Sequence, residues 1–205
     1  MLKTVLNVGC GPRNRAHGFA GFTQGWTELR LDIDPTVAPD VVGTMTDMSA
    51  VATGSVDAVV SSHNIEHLYP HEVPLALAEF LRVLKPDGRV LITCPDLQSV
   101  CARVARGELA SPLYESAAGP ISALDMMYGH RGAMAAGNLF MAHRCGFTLQ
   151  VLADTLQACG FPRTAGIARP EVFDLWMVAS KAALSDAELR TLAVQHLPRR
   201  GPPSP

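Results

Sequence analysis

Apolar positions along this chain fall into short continuous runs, separated by longer stretches in which they recur at helical spacing. The runs cover residues 4–8, 28–33, 40–42, 56–61 and 89–94, each bounded by Gly, Asp or Pro. This is the pattern of parallel strands joined by crossover helices, so five parallel strands are predicted. Before the fifth, Val73, Leu77, Phe80, Leu81 and Leu84 repeat along one helical face. That segment stops at Lys85-Pro86-Asp87-Gly88, a turn in which Pro cannot continue the helix and Gly tolerates positive φ. A second helix opens with Thr148 as its N-cap, carries Leu149, Leu152, Leu156 and Cys159 on one face, and ends at Gly160. Residues 163–168 and 172–180 are then two strand-like runs with only Arg169-Pro170-Glu171 between them. That connection is too short for a crossover helix, so the two runs pair antiparallel and the sheet ends in a hairpin.

Two stretches depart from the alternation. Residues 12–27 are rich in glycine (Gly18, Gly21, Gly25) where a crossover helix belongs, so that helix is predicted to be short or absent. Residues 107–146 are far longer than an ordinary loop, and insertions of that size are usually functional or separately folded. Ser185 with Glu188 forms a capping box for one amphipathic helix to about Leu197, and the Pro-rich residues 198–205 read as a disordered tail.

Composition narrows the class. The 205 residues are 48% hydrophobic and 18% charged, with a net charge of -2 and a sequence pI near 6.4. This favours one domain with a substantial core and excludes a disordered chain. The balanced charge argues against nucleic acid as a partner. No apolar run approaches the roughly 20 residues that span a bilayer, and the opening residues lead straight into a strand without a signal-peptide cleavage site. A soluble cytoplasmic protein with no membrane partner is expected. The five cysteines, Cys10, Cys94, Cys101, Cys145 and Cys159, contain no Cys-x-x-Cys pair, so neither a disulfide framework nor a zinc knuckle is predicted.

Two places carry recognisable chemistry. Val5-Leu6-Asn7-Val8-Gly9-Cys10-Gly11-Pro12 is a strand running into a Gly-x-Gly turn, where a backbone without side chains lets a ligand approach closely. The dinucleotide fingerprint needs a third small residue at position 14, and this chain has Asn14, which counts against a nicotinamide or flavin cofactor. About 20 residues beyond the turn, Asp32 ends the second strand, where a carboxylate accepts both hydroxyls of a ribose. Asp34, just before Pro35, reads as a turn former. His63, His67 and His71 lie four apart, a spacing that would stack three imidazoles on one continuous helix. Pro70 and Pro74 interrupt any such helix, and no metal site is expected.

The order of motifs resembles class I S-adenosylmethionine-dependent methyltransferases, in particular the small bacterial ones with a methyltransferase-11-like domain. Leu6-Asn7-Val8-Gly9-Cys10-Gly11 resembles their nucleotide loop and Leu31-Asp32-Ile33-Asp34 their ribose-binding acid. Gly54-Ser55-Val56-Asp57-Ala58-Val59-Val60 resembles their fourth strand, Asn64-Ile65-Glu66-His67-Leu68 the motif after it, and Arg82-Val83-Leu84-Lys85-Pro86-Asp87-Gly88 their helix end. The resemblance implies an α/β fold with a Rossmann-like, mostly parallel sheet, an antiparallel C-terminal hairpin and helices on both faces. It implies one domain over residues 1–182, with the insertion at about 107–146 and a C-terminal helix over 183–197. S-adenosyl-L-methionine is the implied cofactor and S-adenosyl-L-homocysteine the product. Gly9, Cys10 and Gly11 would lie against its methionine part, Asp32 with Ile33 at the ribose, Asp47 or Met48 at the adenine, and His63 and Asn64 at the methionine end.

The insertion concentrates Tyr128, His130, Arg131, Asn138 and His143 among apolar residues, the composition of a lid over a cofactor. The other reading is a structural arm or a homodimer contact. Tyr128, His130 and His143, together with His67, are the candidates for deprotonating an acceptor, histidine suiting that role best. Methyl transfer from a sulfonium is a direct displacement that needs positioning rather than a covalent intermediate. The expected reaction is methylation of an oxygen or nitrogen on a small molecule or glycan-like metabolite. The alternative is a catalytically silent S-adenosylmethionine-binding module.

Overall fold

The computed structural model describes residues 2–13 and 21–198, so Asn14, Gly18 and the tail from 199 onward lie outside the described residues. The predicted strands are all present as β1 (Lys3–Val8), β2 (Trp26–Asp32), β3 (Val41–Val42), β4 (Val56–Ser62), β5 (Leu84–Pro95), β8 (Thr164–Arg169) and β9 (Asp174–Ser180). They form one sheet in the order β3-β2-β1-β4-β5-β9-β8. The first five run parallel, and β9 pairs antiparallel with both β5 and β8. β1 and β4 are buried almost throughout because apolar layers cover both faces.

On one face α1 (Val73–Val83) and α5 (Leu149–Ala158) bury Leu77, Phe80, Leu152 and Leu156 against Leu6, Val59 and Ile92. On the other, Phe22 and Leu192 of α6 (Asp186–His196) pack on Val5, Ala58, Val60 and Leu91. The expected capping box is present, with Ser185 Oγ accepting from the Glu188 amide and the Glu188 carboxylate accepting from Ser185. The predicted turn at residues 85–88 takes another form. Leu84 already pairs with Val56, and Arg89 pairs with Ala58, so the four residues between them bulge from β5 opposite Asp57. Lys85 Nζ closes the bulge on Asp57 Oδ2 at 2.8 Å.

After β5 and α2 (Leu97–Val104), the insertion folds as a hairpin of β6 (Pro112–Ser116) and β7 (Gly119–Ser122), followed by α3 (Ala123–Tyr128) and α4 (Arg131–Ala135). Ile121, Ala123 and Met126 pack with Val100 and Phe173 in a small core of their own. Strand order reverses beside β1, whose neighbours are β2 and β4, and the carboxyl ends of these three strands border the crevice where open α/β sheets take ligands.

Candidate active site

The crevice floor is the turn after β1. The Gly9 and Cys10 amides donate to the Leu31 carbonyl at 2.9 and 3.1 Å, which folds the turn onto the end of β2. Gly9 has φ +71, and a Cβ there would overlap the side-chain amide of Asn64. Only glycine satisfies both constraints. Asn64 Nδ2 reaches across to donate to the Val8 carbonyl at 3.1 Å, tying the end of β4 to the end of β1. Cys10 is buried, and burial pushes its thiol up to about 11, so it is a packing residue and not a nucleophile.

Asp32 stands where the ribose acid is expected. Its Oδ2 accepts from the Gly11 amide at 2.8 Å and its Oδ1 from the Asp34 amide at 3.0 Å. Each oxygen keeps a lone pair, so one carboxylate shapes the turn and can still receive two hydroxyls. Asp34 is the turn former, its Oδ1 accepting from the Thr36 amide at 2.8 Å. Ile33 is 43% exposed at the mouth of the crevice, an apolar face available to a ligand. Of the adenine candidates, Asp47 is exposed, whereas the Met48 side chain lies in the main core.

Arg30 was not singled out by sequence reasoning. It is only 3% exposed on β2, and its guanidinium donates to the carbonyls of Gly11 and, at 2.7 Å, Ala38. The signal was present as a cation between Leu29 and Leu31, in the half of the strand that leads into the crevice. A buried cation demands acceptors, and those it finds are the backbone of the ligand turn.

At the end of β4, His63 has φ +48 and the chain enters a 3-10 turn, Ile65–His67. The three spaced histidines do not share a helix, because α1 begins only at Val73, and His71 stacks on the Tyr69 ring with centroids 5.7 Å apart. Glu66, His67 and His143 come together instead, with a ligating atom from each within 4.8 Å of the others. Glu66 is 1% exposed, and no described residue donates a hydrogen bond to either carboxylate oxygen. His63 Nδ1 stands 3.6 Å from Oε1, too far for a hydrogen bond. Burial pushes the Glu66 carboxyl up, the His63, His67 and His143 imidazoles pull it down, and the net direction is down, so it is a carboxylate. Burial lowers His143, outweighing the pull of Glu66, and keeps it neutral.

The insertion delivers His143. The Arg144 and Cys145 amides donate to the Glu66 carbonyl at 2.8 and 3.2 Å, and Arg144 Nη1 donates to the His67 carbonyl at 3.2 Å. His67 Nδ1 pairs with the Ala142 carbonyl at 3.1 Å, and His143 Nδ1 with the Met126 carbonyl at 2.8 Å. A carbonyl only accepts, so both Nδ1 atoms carry a proton, and the neutral His143 keeps a lone pair on Nε2. His130 is spent differently, its Nδ1 accepting from the Ala133 amide as the N-cap of α4. The Tyr128 ring is exposed on the insertion.

The family model described as a methyltransferase domain, of the methyltransferase-11 family, matches residues 6–92. No curated protein matches the chain. Among solved structures, the fold resembles the 1,6-didemethyltoxoflavin-N1-methyltransferase of Burkholderia thailandensis, which holds 1,6-didemethyltoxoflavin and S-adenosylhomocysteine. The TM-score is 0.55 at 19% identity, covering 89% of this chain and 72% of that one. A Thermotoga maritima S-adenosylmethionine-dependent methyltransferase, described as a possible histamine N-methyltransferase, matches with TM-score 0.53 and 13% identity over 87% and 81% of the two chains. An S-adenosylmethionine-dependent methyltransferase from Archaeoglobus fulgidus matches with TM-score 0.57 and 15% identity over 88% and 86%. At these identities the structural likeness carries the fold, and the family match falls on the segment that builds the turn, Asp32 and the end of β4. Residues 6–92 therefore match the methyltransferase-11 domain family, and the chain has the α/β fold of the S-adenosylmethionine-dependent methyltransferases it resembles.

Proposed function

We propose that this chain transfers a methyl group from S-adenosylmethionine to an oxygen or nitrogen on a small molecule or glycan-like metabolite. The observation that carries this reading is the group of Glu66, His67 and His143 beside the Gly9–Gly11 turn. It is polar and held by the backbone, and it follows Asn64, which ties the end of β4 to the end of β1; this supports a role in meeting the acceptor. The backbone of Gly9, Cys10 and Gly11 takes the methionine part of the cofactor, with His63 and Asn64 at its edge. Asp32 takes the ribose hydroxyls with Ile33 beside it, and Asp47 borders the adenine.

In the reaction the acceptor's lone pair forms the new bond to the methyl carbon as the carbon–sulfur bond breaks, and sulfur keeps the electron pair. The acceptor's proton passes to the free Nε2 of His143, which is neutral at pH 7. The insertion excludes water and orients the acceptor, with Tyr128, Leu139 and Phe140 as its exposed apolar surface. The solved relatives from Burkholderia thailandensis and Thermotoga maritima carry small-molecule names, and a net charge of -2 disfavours a polyanionic acceptor.

Calorimetric titration with S-adenosylmethionine and S-adenosylhomocysteine, followed by methyl transfer from radiolabelled cofactor into fractionated metabolite pools, tests the proposal. Both ligands should bind and at least one small-molecule pool should accept label. Binding without turnover on any pool would leave the silent module as the correct reading.

A further inference from the structure

Glu66 sets an electrostatic problem that methyl transfer by itself does not resolve. A fully buried carboxylate is costly unless hydrogen bonds or a cation compensate it. Here neither oxygen receives a hydrogen bond from a described residue, and the ion-pair partner at 3.6 Å, His63 Nδ1, is 47% exposed in its side chain and charged only when protonated. The groups beside it are imidazoles, and His67 and His143 each engage a backbone carbonyl through Nδ1, which leaves Nε2 as the ring nitrogen available to a ligand. Two imidazoles held through Nδ1–H to backbone carbonyls, plus one carboxylate, form a donor set whose outer hydrogen bonds are already those of metal-ligating histidines.

We propose that Glu66, His67 and His143 bind a divalent transition-metal ion. Two nitrogen donors and one oxygen donor select the zinc and iron(II) class over magnesium or calcium, which take oxygen ligands. The ligating atoms already lie within 4.8 Å of one another, so modest side-chain movement closes the site. The backbone around it is fixed by the Arg144 and Cys145 amides on the Glu66 carbonyl. The absence of a metal site expected from the histidine spacing concerned His63, His67 and His71. The donor set that the fold assembles is a different one, completed by the insertion.

With the ion bound, His143 Nε2 would be a ligand and would no longer take the acceptor's proton; three protein ligands leave coordination positions open, and a hydroxyl bound at one would release its proton to solvent near neutral pH instead. For the methyl acceptor this second step rests on the methyl-transfer reading and would restrict acceptors to those bearing a hydroxyl. The ion site itself does not depend on that reading.

The test is titration of chelator-stripped full-length protein with Co2+, followed by its visible absorption, with Zn2+ and Mg2+ as competitors. One Co2+ should bind per chain and be displaced by Zn2+ and not by Mg2+. His143→Ala and Glu66→Gln should each weaken binding at least about tenfold, while His71→Ala, at an exposed position outside the cluster, should leave it unchanged. No saturable Co2+ binding, displacement by Mg2+, or unchanged affinity in His143→Ala would each overturn the proposal. If a variant does not fold, nitrogen NMR of the wild-type imidazoles decides. Zn2+ must perturb Nε2 of two histidines and spare their protonated Nδ1, and any other pattern refutes the site. Binding of S-adenosylhomocysteine to the same stripped protein reports the cofactor reading separately, so failure of one is distinguishable from failure of the other.

Discussion

Asp32 and Arg30 hold the ligand turn from opposite sides, one accepting from the Gly11 amide and the other donating to the Gly11 carbonyl. Asp32→Ala removes an acceptor for that amide and for the proposed ribose hydroxyls. Hydrogen bonds to a charged group contribute about 1.5–3 kcal/mol each, so S-adenosylhomocysteine affinity should fall roughly 10- to 100-fold by calorimetry. Unchanged affinity would remove Asp32 from the cofactor site. Arg30→Met removes the donor to the Gly11 and Ala38 carbonyls and should destabilise the fold by about 1–3 kcal/mol, which denaturant titration would measure. Asp32 was legible in the sequence because a strand end and a distance along the chain locate it. The role of Arg30 was not, because its partners are backbone carbonyls on two separate turns.

The insertion is seated by a few backbone features. Gly129 has φ 98 and ψ 165, a region that essentially only glycine occupies, and a Cβ there would run into the Met141 carbonyl. Gly129→Ala should therefore displace residues 141–143, carry His143 away from Glu66, and abolish turnover while leaving cofactor binding close to wild type. Equal loss of both would show that the insertion supports the cofactor site as well. Asp125 closes the capping box of α3 and pairs with Arg131 Nε at 2.8 Å. The Arg131 hydrogen bond is the largest influence on it, and with Ser122 it holds the carboxyl well below its usual 3.8. The unfolded insertion would then bind more protons between the two values, so this contribution is present above pH 3.8 and is lost as pH falls through the lower, folded value. Hydrogen exchange should show α3 opening on acidification, with the acid sensitivity reduced in Asp125→Asn. Strands and helices were readable here because burial repeats with a period. The meeting of Glu66 with His143 was not, because it depends on how a long insertion returns across the end of β4, which no local periodicity encodes.

At the scale of the whole molecule, the crevice lies where β1 meets β2 and β4, so a ligand bound there joins segments from three strands that unfolding would separate. Any ligand that binds only the folded chain stabilises it by RT ln(1 + [L]/Kd), about 2.7 kcal/mol at a hundredfold excess over Kd. For a domain of this size, each kcal/mol moves the midpoint by about 2–4 °C, so S-adenosylhomocysteine should raise Tm by roughly 5–11 °C. Asp32→Ala at the same ligand concentration should show a much smaller rise, because the ratio [L]/Kd falls with the affinity. NADH should produce no rise, since the third small residue of the dinucleotide fingerprint is replaced by Asn14. A shift with NADH and none with S-adenosylhomocysteine would reverse the cofactor assignment while leaving the fold intact, because this seven-stranded sheet with its antiparallel hairpin is set by packing on both faces and not by the ligand.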